Sequence, residues 1–176
     1  MSLILQLIVL MVLGAMVVQD FRIRAIHIYW FCTLLAAVFI LNRDRLFSKS
    51  YWEAALVNLE LVGLLFSVLT AYCSLKARRI VVITRDFMGL GDFLFLIILA
   101  FYLSVLNFLF FYVLSVALVL LCWTLWLFFS GKKNQTIPFA GFQAILLLFF
   151  LSGDWFWLHF NVRDDFWLWR IFFYQS

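Results

Sequence analysis

The sequence is poor in charge and in proline. Only 12% of its 176 residues are charged, against roughly 25% in soluble domains, and it contains a single proline. Apolar residues make up 68% of the chain, with 23 Phe and 8 Trp among its aromatic residues. A soluble core could not bury so much apolar surface, so this composition predicts a polytopic membrane protein.

The sequence also lacks the patterns of several common functional sites. Cys32, Cys73 and Cys122 lie far apart in apolar runs, and their odd number supports neither a disulfide framework nor a zinc site. His27 and His159 have no second ligand at metal-binding spacing, so we interpret both as interfacial polar residues. No nucleotide-binding loop, Ser-His-Asp arrangement or nucleic-acid signature is present. We therefore expect no metal, no organic cofactor and no nucleic-acid partner.

Long apolar runs predict six transmembrane helices in an all-α fold. The first run has neither a basic start nor a cleavage site, so we interpret it as a retained helix. Residues 93–130 carry no charge, and as one helix they would measure ~57 Å, nearly twice the ~30 Å hydrocarbon core. This run must therefore form two helices with a tight reversal, near Ser104–Asn107. The other predicted helices are 2–18, 26–41, 51–75 and, opened by Pro138, residues 138 to about 158.

The carboxyl-terminal part of the chain differs from these runs. Residues 154–176 mix four Trp with Asp and Arg, which is typical of an interfacial segment rather than a seventh span. We therefore divide the chain into a six-helix core, residues 1–160, and an aromatic-rich interfacial tail, residues 161–176.

The distribution of positive charge predicts the orientation in the membrane. With six spans, the loops 19–25, 76–92 and 131–136 share one face and hold eight of the thirteen Lys and Arg residues. The positive-inside rule puts this face in the cytoplasm and the amino terminus outside. Asp20 and Asp92 are then predicted at the cytoplasmic ends of the first and fourth helices.

Asp92 follows Gly89-Leu90-Gly91 and opens the uncharged run. A carboxylate at a membrane boundary is costly and usually functional, and the two glycines allow a backbone or a substrate to approach closely. If Asp20 and Asp92 meet there, like-charge repulsion keeps one of them protonated, as in aspartic proteases. The ionised partner can then activate a water molecule. Because the pair titrates as a unit, acid and base are not assigned separately.

Three stretches of the chain resemble one known family, the type IV prepilin peptidases and archaeal preflagellin peptidases, which are six-helix membrane aspartic proteases. Residues 20–26 are similar to the first-aspartate motif, in which basic residues and Ile-Pro-Asn follow the Asp. Gly89-Leu90-Gly91-Asp92 is similar to Gly-x-Gly-Asp-x-Lys, and Ile137-Pro138-Phe139-Ala140 to the Ile-Pro-Phe-Gly of the last core helix. The resemblance covers about residues 1–160.

This resemblance implies a function and a set of site residues. It implies cleavage of leader peptides from prepilin or pseudopilin-like proteins at the cytoplasmic face of a bacterial inner membrane. Asp20 and Asp92 would be the catalytic pair, with water as the nucleophile, and Gly89 and Gly91 would shape the approach of the substrate. The cysteine-bearing domain that larger relatives use for N-methylation does not occur here, so we expect no methyltransferase activity.

The chain departs from the family pattern at three positions. His27 and Ile28 replace the Pro-Asn that follows Ile26, and Leu94 replaces the Lys after Asp92. These departures keep open a catalytically impaired relative that acts as an interaction protein. A small channel or transporter with the aspartates and Glu60 along a pathway is a second alternative.

Other carboxylates have structural explanations. Glu60 lies near the middle of the third predicted helix, and small residues follow it on the same helical face (Gly63, Ser67, Ala71). We therefore expect Glu60 to point into the bundle as a protonated or hydrogen-bonded structural carboxyl group. Asp86 is expected to be a solvated loop residue. For Asp20 and Asp92, the competing explanation is ion pairing with Arg22, Arg24 or Arg85.

Overall fold

The computed structural model describes residues 3–78, 89–130 and 139–173, and the regular structure in these ranges is entirely helical. An all-α fold is therefore confirmed for the described residues. The helices are α1 (Leu3–Ile23), α2 (Ile28–Leu41), α3 (Lys49–Ala77), α4 (Leu90–Tyr102), α5 (Val105–Ser130), α6 (Phe139–Ser152), which continues as a π-helical turn (Gly153–Leu158), and α7 (Phe166–Phe173).

Four helical segments in the described ranges are long and apolar enough to cross a membrane. They are α1, α3, Val105–Trp126 of α5, and α6 together with its π-helical turn. α2 and α4 have 14 and 13 residues, or about 21 and 20 Å, which is less than the ~30 Å hydrocarbon core. The chain is thus a helical membrane protein with four candidate spans, and the six predicted spans are not confirmed.

The helices share one apolar core. α1 packs along α6 and also contacts α2, while α4 lies against α2, α3 and α6. Phe95 and Leu99 of α4 are buried together with Leu13 and Met16 of α1 and Ala144 of α6. This packing holds the end of α1, the start of α4 and the start of α6 together.

The predicted break in the long uncharged run is present at Leu103 and Ser104, between α4 and α5. Asn58 of α3 is fully buried and donates hydrogen bonds to the carbonyl oxygens of Ala100 and Leu103, at 3.1 and 3.0 Å. Such carbonyl groups at a helix end need partners because no water reaches them in a membrane. Asn58 therefore stabilises the end of α4, a role that the sequence did not reveal.

α1 is longer than predicted. We expected it to end at Val18, but it continues to Ile23, so that Asp20 lies in its last helical turn. The ring of Phe21 packs edge-on against Phe142 of α6, with 5.1 Å between the ring centroids. This tertiary contact explains why the polar residues after Val18 remain helical.

The predicted orientation of Glu60 is wrong. Glu60, Gly63, Ser67 and Ala71 are all exposed, so this face of α3 points away from the bundle. The buried polar residue of α3 is Asn58, which makes the hydrogen bonds at the end of α4. Glu60 and Asn58 are two positions apart on the helix, so their side chains face different directions. Here the side chain of Asn58 points into the bundle.

The sixth predicted helix and the tail are more irregular than expected. Pro138 lies outside the described residues, and α6 is α-helical only to Ser152 before the π-helical turn. In the tail, Val162 and Leu168 are buried, and the indole N–H of Trp167 donates to Asn107 of α5 at 3.0 Å. The tail therefore packs against the bundle at the end of α4 and the start of α5.

Asp165 of the tail caps α5. Its Oδ1 accepts hydrogen bonds from the backbone N–H groups of Leu106 and Asn107, at 3.0 and 3.4 Å. We expect Asp165→Ala to destabilise the protein by about 1–2 kcal/mol, the usual loss for a helix cap, and to lower the thermal unfolding midpoint in detergent. The matched control is Asp164→Ala, because the Asp164 side chain is exposed. Equal midpoints for the two variants would contradict the capping role.

Candidate active site

Asp20 contributes the first carboxylate of the site. It lies in the last turn of α1 and is only 7% exposed. Its Oδ2 accepts a hydrogen bond from the backbone N–H of Gly141, in the first turn of α6, at 2.6 Å. The carboxylate is therefore fixed by a bond that joins two helices far apart in the sequence.

Asp92 contributes the second carboxylate. It lies in the first turn of α4 and is 8% exposed. Its Oδ2 accepts a hydrogen bond from the backbone N–H of Gly89 at 3.2 Å, and its own N–H donates to the carbonyl oxygen of Gly89 at 3.1 Å. This reciprocal pair caps α4 and holds the side chain over its amino terminus. The backbone N–H of Ala140 also interacts favourably with this carboxylate.

The two carboxylates thus meet at the amino terminus of α6. The backbone N–H of Gly141 donates to Asp20, and the preceding N–H, that of Ala140, interacts favourably with Asp92. The first N–H groups of a helix have no partner within it and carry partial positive charge, so they favour anions. The aspartates are also close enough for mutual electrostatic repulsion. These N–H groups favour negative charge at the pair, and Arg24 acts on Asp20 in the same direction, whereas burial and mutual repulsion oppose it.

Gly141 is the residue that makes this approach possible. A Cβ atom added to it would lie 2.8 Å from Oδ2 of Asp20, 3.1 Å from its Cβ, and 3.1 Å from Cδ2 of Phe21. Contacts under 3.0 Å do not occur without displacement of one partner. Only glycine therefore permits the present position of the Asp20 carboxylate against α6. Gly141 is not among the site residues predicted from the sequence, although an isolated glycine in the first turn of an apolar helix is a usable signal.

Gly89 and Gly91 are at the site, but they have different neighbours. A Cβ on Gly89 would lie 3.5 Å from Oδ2 of Asp92, whereas one on Gly91 would lie 3.4 Å from Cζ of Phe31 in α2. Gly89 therefore borders the carboxylate, and Gly91 allows α4 to pack closely against α2. Substrate approach remains a prediction for both.

The ion pairs of the described residues lie away from the site. They are Arg43–Asp44 and Lys49–Glu53, with N–O distances of 3.5 and 3.4 Å. Arg24 acts electrostatically on Asp20 from beyond the last turn of α1. Arg85 and Asp86 lie outside the described residues. The burial of both aspartates near the amino terminus of α6 therefore adds to the electrostatic contribution of Arg24.

The positions that depart from the family pattern also have defined environments. Leu94 is partly buried and packs against the apolar core. His27 is exposed; its backbone N–H donates to Oε1 of Gln19 at 3.2 Å, and it precedes α2 as the cap residue. Ile28 is also exposed. Ile137 lies outside the described residues, together with Pro138.

No group of three or more His, Cys, Asp or Glu side chains that could hold a metal ion occurs among residues 3–78, 89–130 and 139–173. The three cysteines are free and unpaired in disulfides. The chemistry that the described site offers is therefore that of two neighbouring carboxyl groups.

Comparisons with known proteins do not add to this picture. No protein-family model, no curated protein and no solved structure matches the chain.

Proposed function

We propose that this protein is a membrane aspartic endopeptidase that removes leader peptides from prepilin or pseudopilin-like proteins. One observation carries the proposal: two buried carboxylates, from α1 and α4, lie near the amino terminus of α6 and within electrostatic range of each other. The sequence motifs around Asp20 and Asp92 resemble those of such peptidases. An ordinary pair of interfacial carboxylates would need neither convergence from distant helices nor a glycine kept free of a side chain.

The pair can act by water activation. Two carboxylates in a poorly solvated site share a proton because a second negative charge is disfavoured there. The ionised carboxylate takes a proton from a water molecule, whose oxygen bonds to the scissile carbonyl carbon, while the protonated carboxyl group hydrogen-bonds the carbonyl oxygen. The proton then passes to the leaving nitrogen as the C–N bond breaks. The N–H groups of Ala140 and Gly141 keep both carboxyl groups in position throughout.

We further propose that the short helices α2 and α4 complete six passes through a bacterial inner membrane. Hydrogen bonds support six passes, in which successive helices run in opposite directions. Asp20 and Asp92 lie near α6 at one end of the bundle. Asn42, which follows α2, and Tyr51, in the first turn of α3, both donate to the carbonyl oxygen of Phe101 at the far end of α4. The positive-inside rule then assigns the aspartates to the cytoplasmic face and the amino terminus to the outside.

Cleavage of reporters in membranes tests this function. The full chain is co-expressed with a panel of prepilin-like reporters, each with a short leader before an apolar helix, and the new amino terminus is identified by mass spectrometry. We expect cleavage at the junction of leader and helix. A reporter whose junction is moved into the apolar segment is the control. Cleavage at unrelated sites, or equal cleavage of the control, would contradict the proposal.

A catalytically impaired relative is the second candidate, and Leu94 favours it. Where the family has a lysine, this chain has a leucine that packs against the core, so a cation near the pair is replaced by an apolar contact. Under this alternative, the wild type cuts no reporter and Leu94→Lys gains cleavage. If the wild type already cuts and Leu94→Lys adds nothing, this candidate is excluded.

A further inference from the structure

The exposed carboxylate in the middle of α3 is the feature that the proposed function leaves unexplained. Glu60 is the twelfth of the 29 residues of α3, so it lies ~17 Å from the start of the helix and ~5 Å from its midpoint. α3 is a candidate membrane span. Glu60 thus faces outward at the depth of the hydrocarbon core, where an ionisable side chain is costly and usually marks a functional contact.

Glu60 has no partner within the described part of the chain. The ion pairs there use Asp44 and Glu53, and no hydrogen bond in those ranges involves the Glu60 side chain. Its side chain is also too short to reach the membrane surface from this depth, unlike the long stems of Lys and Arg. No described residue of this chain therefore compensates the Glu60 carboxylate, and another molecule can supply the compensating group.

The surface around Glu60 suits a closely packed helix. Gly63, Ser67 and Ala71 follow at helical spacing and are exposed like Glu60. A Cβ added at Gly63 would meet no atom within 4 Å, so this glycine serves no packing contact inside the bundle. The hydroxyl of Ser67 donates a hydrogen bond to the carbonyl oxygen of Gly63 at 2.7 Å. Its hydrogen-bond donor is therefore already satisfied within α3. Small residues at this spacing let two transmembrane helices approach closely.

The carboxylate of Glu60 determines which kind of helix can bind to this face of α3. Two copies of this chain inserted in the same direction would oppose residues of equal depth across a twofold axis, and Glu60 would then face a second Glu60. None of the thirteen Lys and Arg residues lies in the central turns of the four candidate spans that the described residues form. A second copy therefore brings no counter-charge to this depth.

We propose that the α3 docking face, formed by Glu60, Gly63, Ser67 and Ala71, binds a transmembrane helix of a partner protein that carries a lysine or arginine near the bilayer centre. The partner presents small residues on either side of this cation, so that its backbone lies over Gly63. The ion pair neutralises Glu60, and the small residues bring the two helices together.

Synthetic transmembrane helices test the proposal directly. The full chain, labelled at an added terminal tag, is reconstituted in phosphatidylcholine vesicles, and energy transfer to labelled peptides is titrated. The peptides are leucine-rich helices with alanines around a central Arg, Gln or Glu. We expect the Arg peptide to bind at least about ten-fold more tightly than the Gln peptide and the Glu peptide to bind most weakly.

Matched variants distinguish the contribution of the Glu60 charge to peptide binding from that of the small residues. Glu60→Gln should abolish the preference for the Arg peptide, and Glu60→Lys should transfer it to the Glu peptide. Glu53→Gln is the control because Glu53 lies in the first turns of α3, paired with Lys49. Gly63→Leu should weaken binding of all peptides without affecting the fold. Gly14→Leu in α1 is its control, because a Cβ there also meets no atom within 4 Å.

Two results would overturn the proposal. One is equal binding of the Arg peptide by wild type and Glu60→Gln. The other is Glu60-dependent energy transfer between differently labelled copies of the chain without any peptide, which would assign the α3 docking face to a second copy.

Discussion

Replacing either aspartate of the pair by asparagine, as Asp20→Asn or Asp92→Asn, is expected to reduce leader cleavage by at least ~10³-fold. An amide cannot take a proton from water, and it cannot share a proton with the remaining carboxyl group. Asparagine keeps an oxygen that can accept the N–H of Gly141 or Ala140, so the contacts between α1, α4 and α6 are retained. The loss should therefore appear in catalysis while insertion and thermal stability change little.

The measurement is the initial rate of reporter cleavage in membranes that contain equal amounts of each inserted variant. Asp154→Asn is the matched control. Asp154 is 8% exposed, like the pair, and its Oδ1 accepts the N–H of Asn161 at 2.6 Å, outside the pair. We expect Asp154→Asn to retain cleavage. A single variant of the pair that still cuts at the wild-type rate would show that the two aspartates do not act as a catalytic unit.

The convergence of Asp20 and Asp92 follows from features that a sequence displays. The two apolar runs between the aspartates, residues 26–41 and 51–75, determine how many helix ends separate them. Helix parity then places both at the same end, and the structure has them there. Their chemical role stays a prediction, because position alone does not show proton transfer.

Features that depend on contacts between distant helices could not be predicted in this way. In the sequence Gly141 is one glycine in an apolar run, and its importance comes from a contact with Asp20 across 121 positions. The direction of Glu60 was also hidden. Because α3 is apolar on nearly every side, periodicity does not distinguish its lipid-facing side from its inner side. The small residues near Glu60 predicted a contact with another helix of the bundle, but in the structure this face of α3 is exposed.

The lengths of α2 and α4 show a third limit. Apolar composition predicts that a segment avoids water, but it does not say whether that segment spans the bilayer alone or is shielded by neighbours. Most of the α4 side chains are buried between α2, α3 and α6, so protein rather than lipid surrounds much of this helix. A helix shielded in this way can be shorter than the bilayer is thick, with its ends held by Asp92 at one side and Asn58 at the other.

Gly141→Ala should lower cleavage by about 100-fold, the usual effect of displacing a reacting group by about 1 Å. The added methyl group would lie 2.8 Å from Oδ2 of Asp20, so the carboxylate must move and its 2.6 Å hydrogen bond to the Gly141 N–H must lengthen. Because Gly141 acts only by positioning Asp20, the variant should lower kcat and leave KM nearly unchanged. Gly14→Ala, in open space on α1, is the control and should leave both constants unchanged.

Combined with Asp20→Asn, Gly141→Ala should cause no further loss, since the carboxylate that it displaces is already absent. A variant with unchanged kcat, or a double variant with additive losses, would show that Gly141 does not position the Asp20 carboxylate for catalysis.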